Sequence, residues 1–388
     1  MALQPDAEYG PLRTPLDLVR LKRYLETEVK AGLQLSEEVY QFSFGQSNPT
    51  YLLASNTGKC YVVRTRPPGS IISNTAHRID REYRILAALG KEGSVPVPQV
   101  YHLCMDEAVI GRPFYVMEYL KGRKFEDVRM PEVETKEERE KLWLSVIRTL
   151  AALHSLDPQK LGLADYGSTS AFYPRQIRSL SKVSASQSAV TSKSGVAVGD
   201  IPGIQFLLDW YAKNLPRGEG GKLEARVIHG DFKVDNMIFH PTEPRVIGVL
   251  DWELSTLGHP YSDLANLLQP FYVPRETKKA GHLTGLRDIP PDQLPIPSGP
   301  TLLQAWCAAM GEDYATSMER GAGKRRWEGC VSFAFFRLAV ITQGIAARHA
   351  QGNASSARAA EYSKLFPLMG KLAVEHIERY AGAEGAKL

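Results

Sequence analysis

In the first third of the chain the apolar residues come in short runs separated by polar turns: VYQFSF (39–44), TYLLAS (50–55), KCYVVRTR (59–66), PQVYHLCM (98–105) and RPFYVMEYL (112–120). Runs of this length, rich in Val, Tyr and Phe and bounded by Gly, Asn and Pro, predict five strands. Two segments keep a three-and-four spacing instead and predict helices: PLDLVRLKRYLETEV (15–29) and HRIDREYRILAALG (77–90), the second stopping at Gly90. From about Glu132 helical spacing takes over, as in KEEREKLWLSVIRTLAALHSL (136–156) and WEGCVSFAFFRLAVITQGIAARHA (327–350). The pattern predicts an α+β protein of two lobes. A strand-rich first lobe over 1–120 holds a five-stranded sheet and a helix, and a mainly helical second lobe covers 121–388. Within the second lobe, the text between 167 and 200 turns Ser-rich (SLSKVSASQSAVTSKSGVAVGD, 179–200) and reads as a flexible insert.

Composition narrows the class without naming a function. At 388 residues the chain is long for one core, and 43% hydrophobic with 23% charged residues is ordinary globular usage. Lys and Arg number 47 against 43 Asp and Glu, with no dense basic run, so nothing points to nucleic acid. The four cysteines, Cys60, Cys104, Cys307 and Cys330, include no C-x-x-C pair, which speaks against a zinc site or a disulfide framework and fits a reducing compartment. The N-terminus lacks a basic head followed by an apolar segment, and no stretch approaches the ~18 uninterrupted apolar residues of a membrane helix. A soluble intracellular protein with no membrane partner is the expectation.

The informative stretch is HGDFKVDN (229–236), which follows the apolar run ARVI and precedes MIFH. Asp, Asn and Gly are good turn formers, so a polar turn is one reading. A catalytic loop is the other, in which an Asp and an Asn further on hold a hydroxyl and a metal against a phosphate. The downstream sequence favours the second. VIGVLDWELSTLG (246–258) ends another apolar strand on Asp251, so Asp231, Asn236 and Asp251 together offer an oxygen-rich magnesium site and a general base.

HGD-x-x-x-x-N followed by LDWE, Gly258 and the SDLA of Ser262 to Ala265 resembles the aminoglycoside phosphotransferase family, small-molecule kinases with a protein-kinase-like fold. The likeness is greatest to the kinase-like region fused ahead of acyl-CoA dehydrogenases, and it extends from about Glu38 to Arg348. It implies ATP and Mg2+ as cofactors and a small-molecule hydroxyl as acceptor, a hydroxy acid or hydroxyacyl thioester ahead of an aminoglycoside or choline-type alcohol. By position, Asp231 resembles the catalytic base, and Asn236 and Asp251 the magnesium ligands. His229 reads as a structural brace for the loop. Arg64 occupies a place where this fold usually carries Lys, with Arg66 the other candidate for the phosphate anchor. Glu82 is its implied partner, unless it pairs with Arg78 or Arg81 on the surface. The turn FGQSNPTY offers the backbone of Gln46, Ser47 and Asn48 to phosphate, and Glu118 and Tyr119 of YVMEYLKG stand where adenine would meet the backbone.

Two residues are candidates for substrate contact. Glu253 belongs to LDWE. Arg337 shares a helical face with Phe333, Phe336, Val340, Ile341 and Gly344, so its guanidinium needs an anion, from the substrate or from an internal acid. A protein kinase would show D-F-G and a long segment ending in A-P-E; here Trp252 and Glu253 follow Asp251. A pseudokinase binding module would have lost the base or the metal ligands, and Asp231, Asn236 and Asp251 are all present. The last three residues, Ala386, Lys387 and Leu388, resemble the S-K-L peroxisomal address. A peroxisomal location through the import receptor is the expectation, with the cytoplasm the alternative.

Overall fold

The computed structural model describes residues 9–29, 33, 35–43, 48–67, 78–218, 225–275, 284–352 and 359–381. Gln46, Ser47 and Ala386 to Leu388 lie outside these. The chain forms two compact units. The first is Met1–Arg123 with Ile238–Pro241 and Ile247–Ser255; the second is Lys124–Met237 with Thr242–Val246 and Thr256–Leu388. A single cut at residue 120 therefore needs correction, because the chain returns twice to the first unit and carries Asp251 and Glu253 there.

The first unit begins with β1 (Tyr9–Gly10), α1 (Leu18–Glu28), β2 (Leu35–Phe42), β3 (Thr50–Ser55) and β4 (Cys60–Thr65). It continues with α2 (Ile79–Glu92), β5 (Val100–Cys104), the short α3 (Glu107–Ile110) and β6 (Phe114–Glu118). The sheet has six strands in the order β1-β2-β3-β4-β6-β5, one more than expected. The added strand is a two-residue pairing of Tyr9 and Gly10 with Phe42 and Gln41, too short to leave a periodic signal. Leu21 and Leu25 of α1 close one core against Tyr51, Leu53, Val63, Phe114 and Val116.

The second predicted helix runs past Gly90 to Glu92. It ends at Gly93, whose φ of 89° is the left-handed cap geometry that glycine adopts without steric cost, and whose N–H reaches the Leu89 carbonyl at 2.9 Å. Within this unit the returning strand is seated by the Leu120 side chain over Gly248, where a Cβ would lie 2.1 Å from Leu120 Cδ1, and by Val249 N, which donates to the Pro96 carbonyl at 2.9 Å. That seating fixes where Asp251 emerges.

The second unit contains α4 (Lys136–Ser155), α5 (Phe172–Ser188), α6 (Ile204–Asn214) and β7 (Arg226–Ile228). The chain then forms the hairpin of β8 (Met237–Phe239) and β9 (Val246–Val249), followed by β10 (Thr256–Gly258), α7 (Tyr261–Leu268), α8 (Gly299–Met310), α9 (Gly321–Ala350), α10 (Ala359–Tyr362) and α11 (Phe366–Tyr380). β7 and β10 pair antiparallel, Ile228 opposite Thr256.

The Ser-rich stretch expected as a flexible insert is corrected by α5, a 17-residue helix. Its buried Tyr173 packs on Phe333, with ring centroids 5.3 Å apart, and its buried Ser184 donates to Gln343 Oε1 at 2.8 Å. Ser184 is the serine that meets α9, so over Phe172–Ser188 the low hydrophobicity belongs to a helix with a polar contact and not to a loose loop. The helix α9 is long and apolar enough by length and composition to cross a membrane, but 67% of its most apolar stretch is buried inside the protein, as in a core helix.

Candidate active site

β7 delivers the chain into HGDFKVDN, and a buried carboxylate takes hold of its backbone. His229 N and Gly230 N donate to Asp263 Oδ2 and Oδ1 at 2.6 and 2.8 Å. Asp263, in the first turn of α7, meets His154 Nε2 of α4 at 3.5 Å, and Trp306 donates to His154 Nδ1 at 3.2 Å. With Nδ1 accepting from the indole, the imidazole proton sits on Nε2, facing the carboxylate. Burial pushes the Asp263 carboxyl up, but the bond from His154, the neighbouring His229 and the backbone N–H donors outweigh it and hold it below its ordinary value. Asp263 stays ionised and organises the loop. SDLA was visible in the sequence, but nothing in its spacing gave Asp263 this role, and His154 lies 109 residues away from it.

Inside the loop, His229 Nδ1 accepts from Asp231 N at 3.1 Å, which makes His229 the brace it was expected to be. The segment Val234–Asn236 is one 3-10 turn that swings Asn236 back. Its Nδ2 donates to the Asp231 carbonyl at 2.9 Å and to Asp231 Oδ2 at 3.1 Å. That orientation leaves the amide oxygen of Asn236 as the group to offer a cation. Lys233 Nζ lies 3.4 Å from Asp231 Oδ2 and 3.3 Å from Asp235 Oδ2. Burial lowers the Lys233 pKa, but the two carboxylates more than reverse this and raise it, so the side chain remains a cation on the loop. Arg337 of α9 donates through Nη2 to the Gly230 carbonyl. It is therefore tied to the backbone beside Asp231, where an anion had been expected. Phe333, Phe336, Val340 and Gly344 are buried as its stripe requires, while Ile341 is exposed.

The Asp263 clasp gives a stability prediction. Asp263→Ala leaves two buried N–H groups without their acceptor, at about 1–3 kcal/mol for each unsatisfied group. A fall of that order is expected in the unfolding free energy from urea titration. A variant that unfolds with the wild type would refute the clasp.

In the first unit, Arg64 of β4 stands in the sheet between Thr50 and Tyr115. Its Nε lies 3.0 Å from Glu82 Oε2 of α2, and its Nη2 donates to Asp251 Oδ1 at 2.6 Å and lies 3.6 Å from Glu253 Oε2. Arg64 and Glu82 are both buried, which makes Arg64 the partner of Glu82. The surface alternatives are occupied elsewhere: Arg78 pairs with Asp80 and Arg81 donates to the Ser255 carbonyl. Arg66, the other candidate anchor, pairs with exposed Glu107. Burial would lower the Arg64 pKa, but Glu82 and Asp251 raise it, so the guanidinium is charged throughout; burial pushes the Glu82 carboxyl up against the pull of Arg64.

Glu253, expected at the substrate, belongs to this cluster and accepts from Asn48 Nδ2 at 3.2 Å. Asn48, expected to present its backbone, is a buried side-chain donor. Glu118 ends β6 with its N–H on the Gln99 carbonyl and its carboxylate on Gln99 N. The Tyr119 ring lies 6.3 Å from that of Phe42.

Asp251 of the first unit and Asn236 of the second are each an oxygen donor of the kind a hard cation such as Mg2+ takes, and among the described residues no group of three or more His, Cys, Asp or Glu could hold a metal ion.

The family model described as "Phosphotransferase enzyme family" matches residues 38–315. Acyl-CoA dehydrogenase family member 11 of Mus musculus is 40% identical over 349 residues, covering 88% of this chain and 40% of that protein. Acyl-CoA dehydrogenase family member 10 of Mus musculus is 36% identical over 353 residues, covering 91% of this chain and 30% of that protein. The chain thus spans less than half the length of these curated relatives. A crystal structure from Ralstonia eutropha, assigned to the aminoglycoside phosphotransferases, superposes with a TM-score of 0.78 at 33% identity, covering 94% of this chain and 99% of that one. A thermostable mutant of aminoglycoside phosphotransferase APH(4)-Ia, solved with AMP-PNP and hygromycin B, shares the fold at a TM-score of 0.55 and 11% identity.

Proposed function

The chain belongs to the phosphotransferase enzyme family, and from that premise we propose that it transfers the γ-phosphoryl group of ATP to the hydroxyl of a small hydroxy acid or hydroxyacyl thioester. The observation that carries the reading is the Asp231–Asn236 arrangement, a carboxylate held by its own loop with an amide donor on one oxygen. In this reading Asp231 accepts the acceptor's hydroxyl proton as the new O–P bond forms. The bond from Pγ to the bridging oxygen breaks, and ADP leaves with that electron pair. Arg64 engages phosphate oxygens, a task its planar fork suits. Asp251 and Asn236 each offer an oxygen to Mg2+, which when bound offsets phosphate charge. The backbone at Glu118 and Tyr119 is the proposed adenine contact, with Gln46, Ser47 and Asn48 the phosphate turn.

The acceptor class follows from two supports. The curated relatives are named acyl-CoA dehydrogenases, which handle acyl groups by their name. Lys233 on the loop and Arg337 of α9, which donates to the loop's Gly230 carbonyl, also place two cations beside Asp231, a poor setting for a polycationic drug. Arg337 is given the acceptor's carboxylate or thioester side in this reading. A panel of hydroxy acids, hydroxyacyl thioesters, choline and aminoglycosides assayed for acceptor-dependent ADP release tests the proposal. Turnover on the first two groups is expected, and turnover confined to aminoglycosides or choline would move the chain to the alcohol-kinase reading.

We further propose a peroxisomal location, supported by Ala386, Lys387 and Leu388. A fluorescent protein fused ahead of the chain is expected to give puncta that become diffuse when these three residues are deleted. Diffuse signal from both fusions would return the protein to the cytoplasm.

A further inference from the structure

We propose that Arg64 is a latch on Asp251: by bridging Glu82 and Asp251 it withholds the Asp251 carboxylate from a divalent cation until an oxyanion, such as a nucleotide phosphate, draws the guanidinium away. This rests on the reading of Asp251 as a magnesium ligand and goes beyond it, because it makes metal binding conditional on phosphate.

The geometry is that of a guanidinium set between two carboxylates, in ion-pair range of Glu82 and hydrogen-bonded to Asp251. Arg64 Nε faces Glu82 Oε2 at 3.0 Å while Nη2 donates to Asp251 Oδ1 at 2.6 Å. A guanidinium is planar, with donors in fixed directions, so one side chain can hold two carboxylates that a single ammonium centre would not span in the same way. Glu82 is on a helix and buried, whereas Asp251 is the more exposed partner, its side chain 33% exposed. Asp251 also sits at φ 66° and ψ 56°, a left-handed conformation that costs a non-glycine residue energy and persists only when its surroundings enforce it. The bond from Arg64 is one such constraint.

The charge balance says what would release it. Glu82, Asp251 and Glu253 all lie against the guanidinium of Arg64, and Asn48 Nδ2 donates to the same Glu253 Oε2 that Arg64 approaches at 3.6 Å. Three carboxylates gathered in one place favour a divalent ion, but Asp251 Oδ1 is engaged by Arg64. An oxyanion is the natural competitor for a guanidinium, since it offers paired oxygens in the same plane. Once Arg64 turns to it, the cluster gains a ligand and loses a cation, so phosphate and metal tighten each other's binding, as linkage requires.

The test uses Mn2+ as the probe, followed by electron paramagnetic resonance on the full chain without nucleotide. Arg64→Lys and Arg64→Gln are each expected to bind Mn2+ about tenfold more tightly than wild type, and adding Asp251→Asn should remove the gain. Sulfate at saturating concentration should tighten Mn2+ binding by the wild type, which needs no variant to fold. Unchanged Mn2+ affinity in folded variants, a gain that survives Asp251→Asn, or indifference of the wild type to sulfate would each overturn the latch. Calorimetric titration of the wild type with Mn2+ and ATP separates the two readings. Absent binding there overturns the kinase proposal and the latch together, whereas intact binding with equal Mn2+ affinities overturns the latch alone.

Discussion

Asp231→Asn should lower kcat by about 10²–10⁴-fold while ATP affinity and the melting temperature stay near those of the wild type. The substitution keeps the volume and one side-chain oxygen, so Asn236 Nδ2 retains an acceptor, and its second bond goes to the Asp231 backbone carbonyl, which does not change. The backbone bond from residue 231 to His229 Nδ1 is likewise unaffected. What is lost is a carboxylate able to take a proton. Steady-state assays on an acceptor from the panel, paired with ATP titration, check this. Wild-type turnover in the variant would remove Asp231 from the chemistry, and an equal loss of ATP binding would make it a structural residue.

Arg64→Met should strongly destabilise the first unit. It keeps much of the apolar stem but leaves Glu82 buried opposite no cation, and losing one partner of a buried pair costs about 3–5 kcal/mol. The loss should depend on pH, and the sign follows from Glu82. Burial already holds this carboxyl above its ordinary value, and without Arg64 the pull that opposed burial is gone. A carboxyl raised in the folded state binds more protons folded than unfolded. Its contribution is therefore fully present below the unfolded pKa of ~4.3 and fades as pH rises through the folded value. Urea midpoints of Arg64→Met should fall further behind wild type at about pH 8 than at about pH 5. A constant difference would mean that Glu82 is not the group left stranded. Adding Glu82→Gln should recover part of the loss at the higher pH.

What the sequence disclosed divides by the kind of signal each feature leaves. Five strands of the first unit alternate or run apolar over five or more residues and could be read directly, whereas Tyr9 and Gly10 pair over two residues and could not. Gly90 looked like a stop because glycine often is one; the left-handed turn falls at Gly93, and only backbone geometry distinguishes them. The Ser-rich segment misled because serine is common both in loops and in helices that approach one another closely, and the partner that decides, Gln343 of α9, is 159 residues away from Ser184. At the candidate site, HGDFKVDN and LDWE were enough to single out Asp231, Asn236 and Asp251, and the structure sets Asn236 Nδ2 on Asp231 and Arg64 on Asp251. Asp263, His154 and the placement of Glu253 with Arg64 were not, since each acts through a contact that no local pattern encodes. Arg337 was found by its apolar stripe, which announced a guanidinium in need of a partner but not that a backbone carbonyl would be its acceptor.

The measurement that bears most directly on the central claim is phosphorus NMR of the wild type and Asp231→Asn, each with ATP, Mg2+ and the best acceptor from the panel. The account predicts that with the wild type the γ-phosphate resonance of ATP declines as a phosphomonoester resonance grows in equal measure, that the latter needs the acceptor's hydroxyl, and that neither change occurs at a comparable rate in the variant. A γ-phosphate that persists, or that appears only as inorganic phosphate whether or not a hydroxylated acceptor is present, would contradict it.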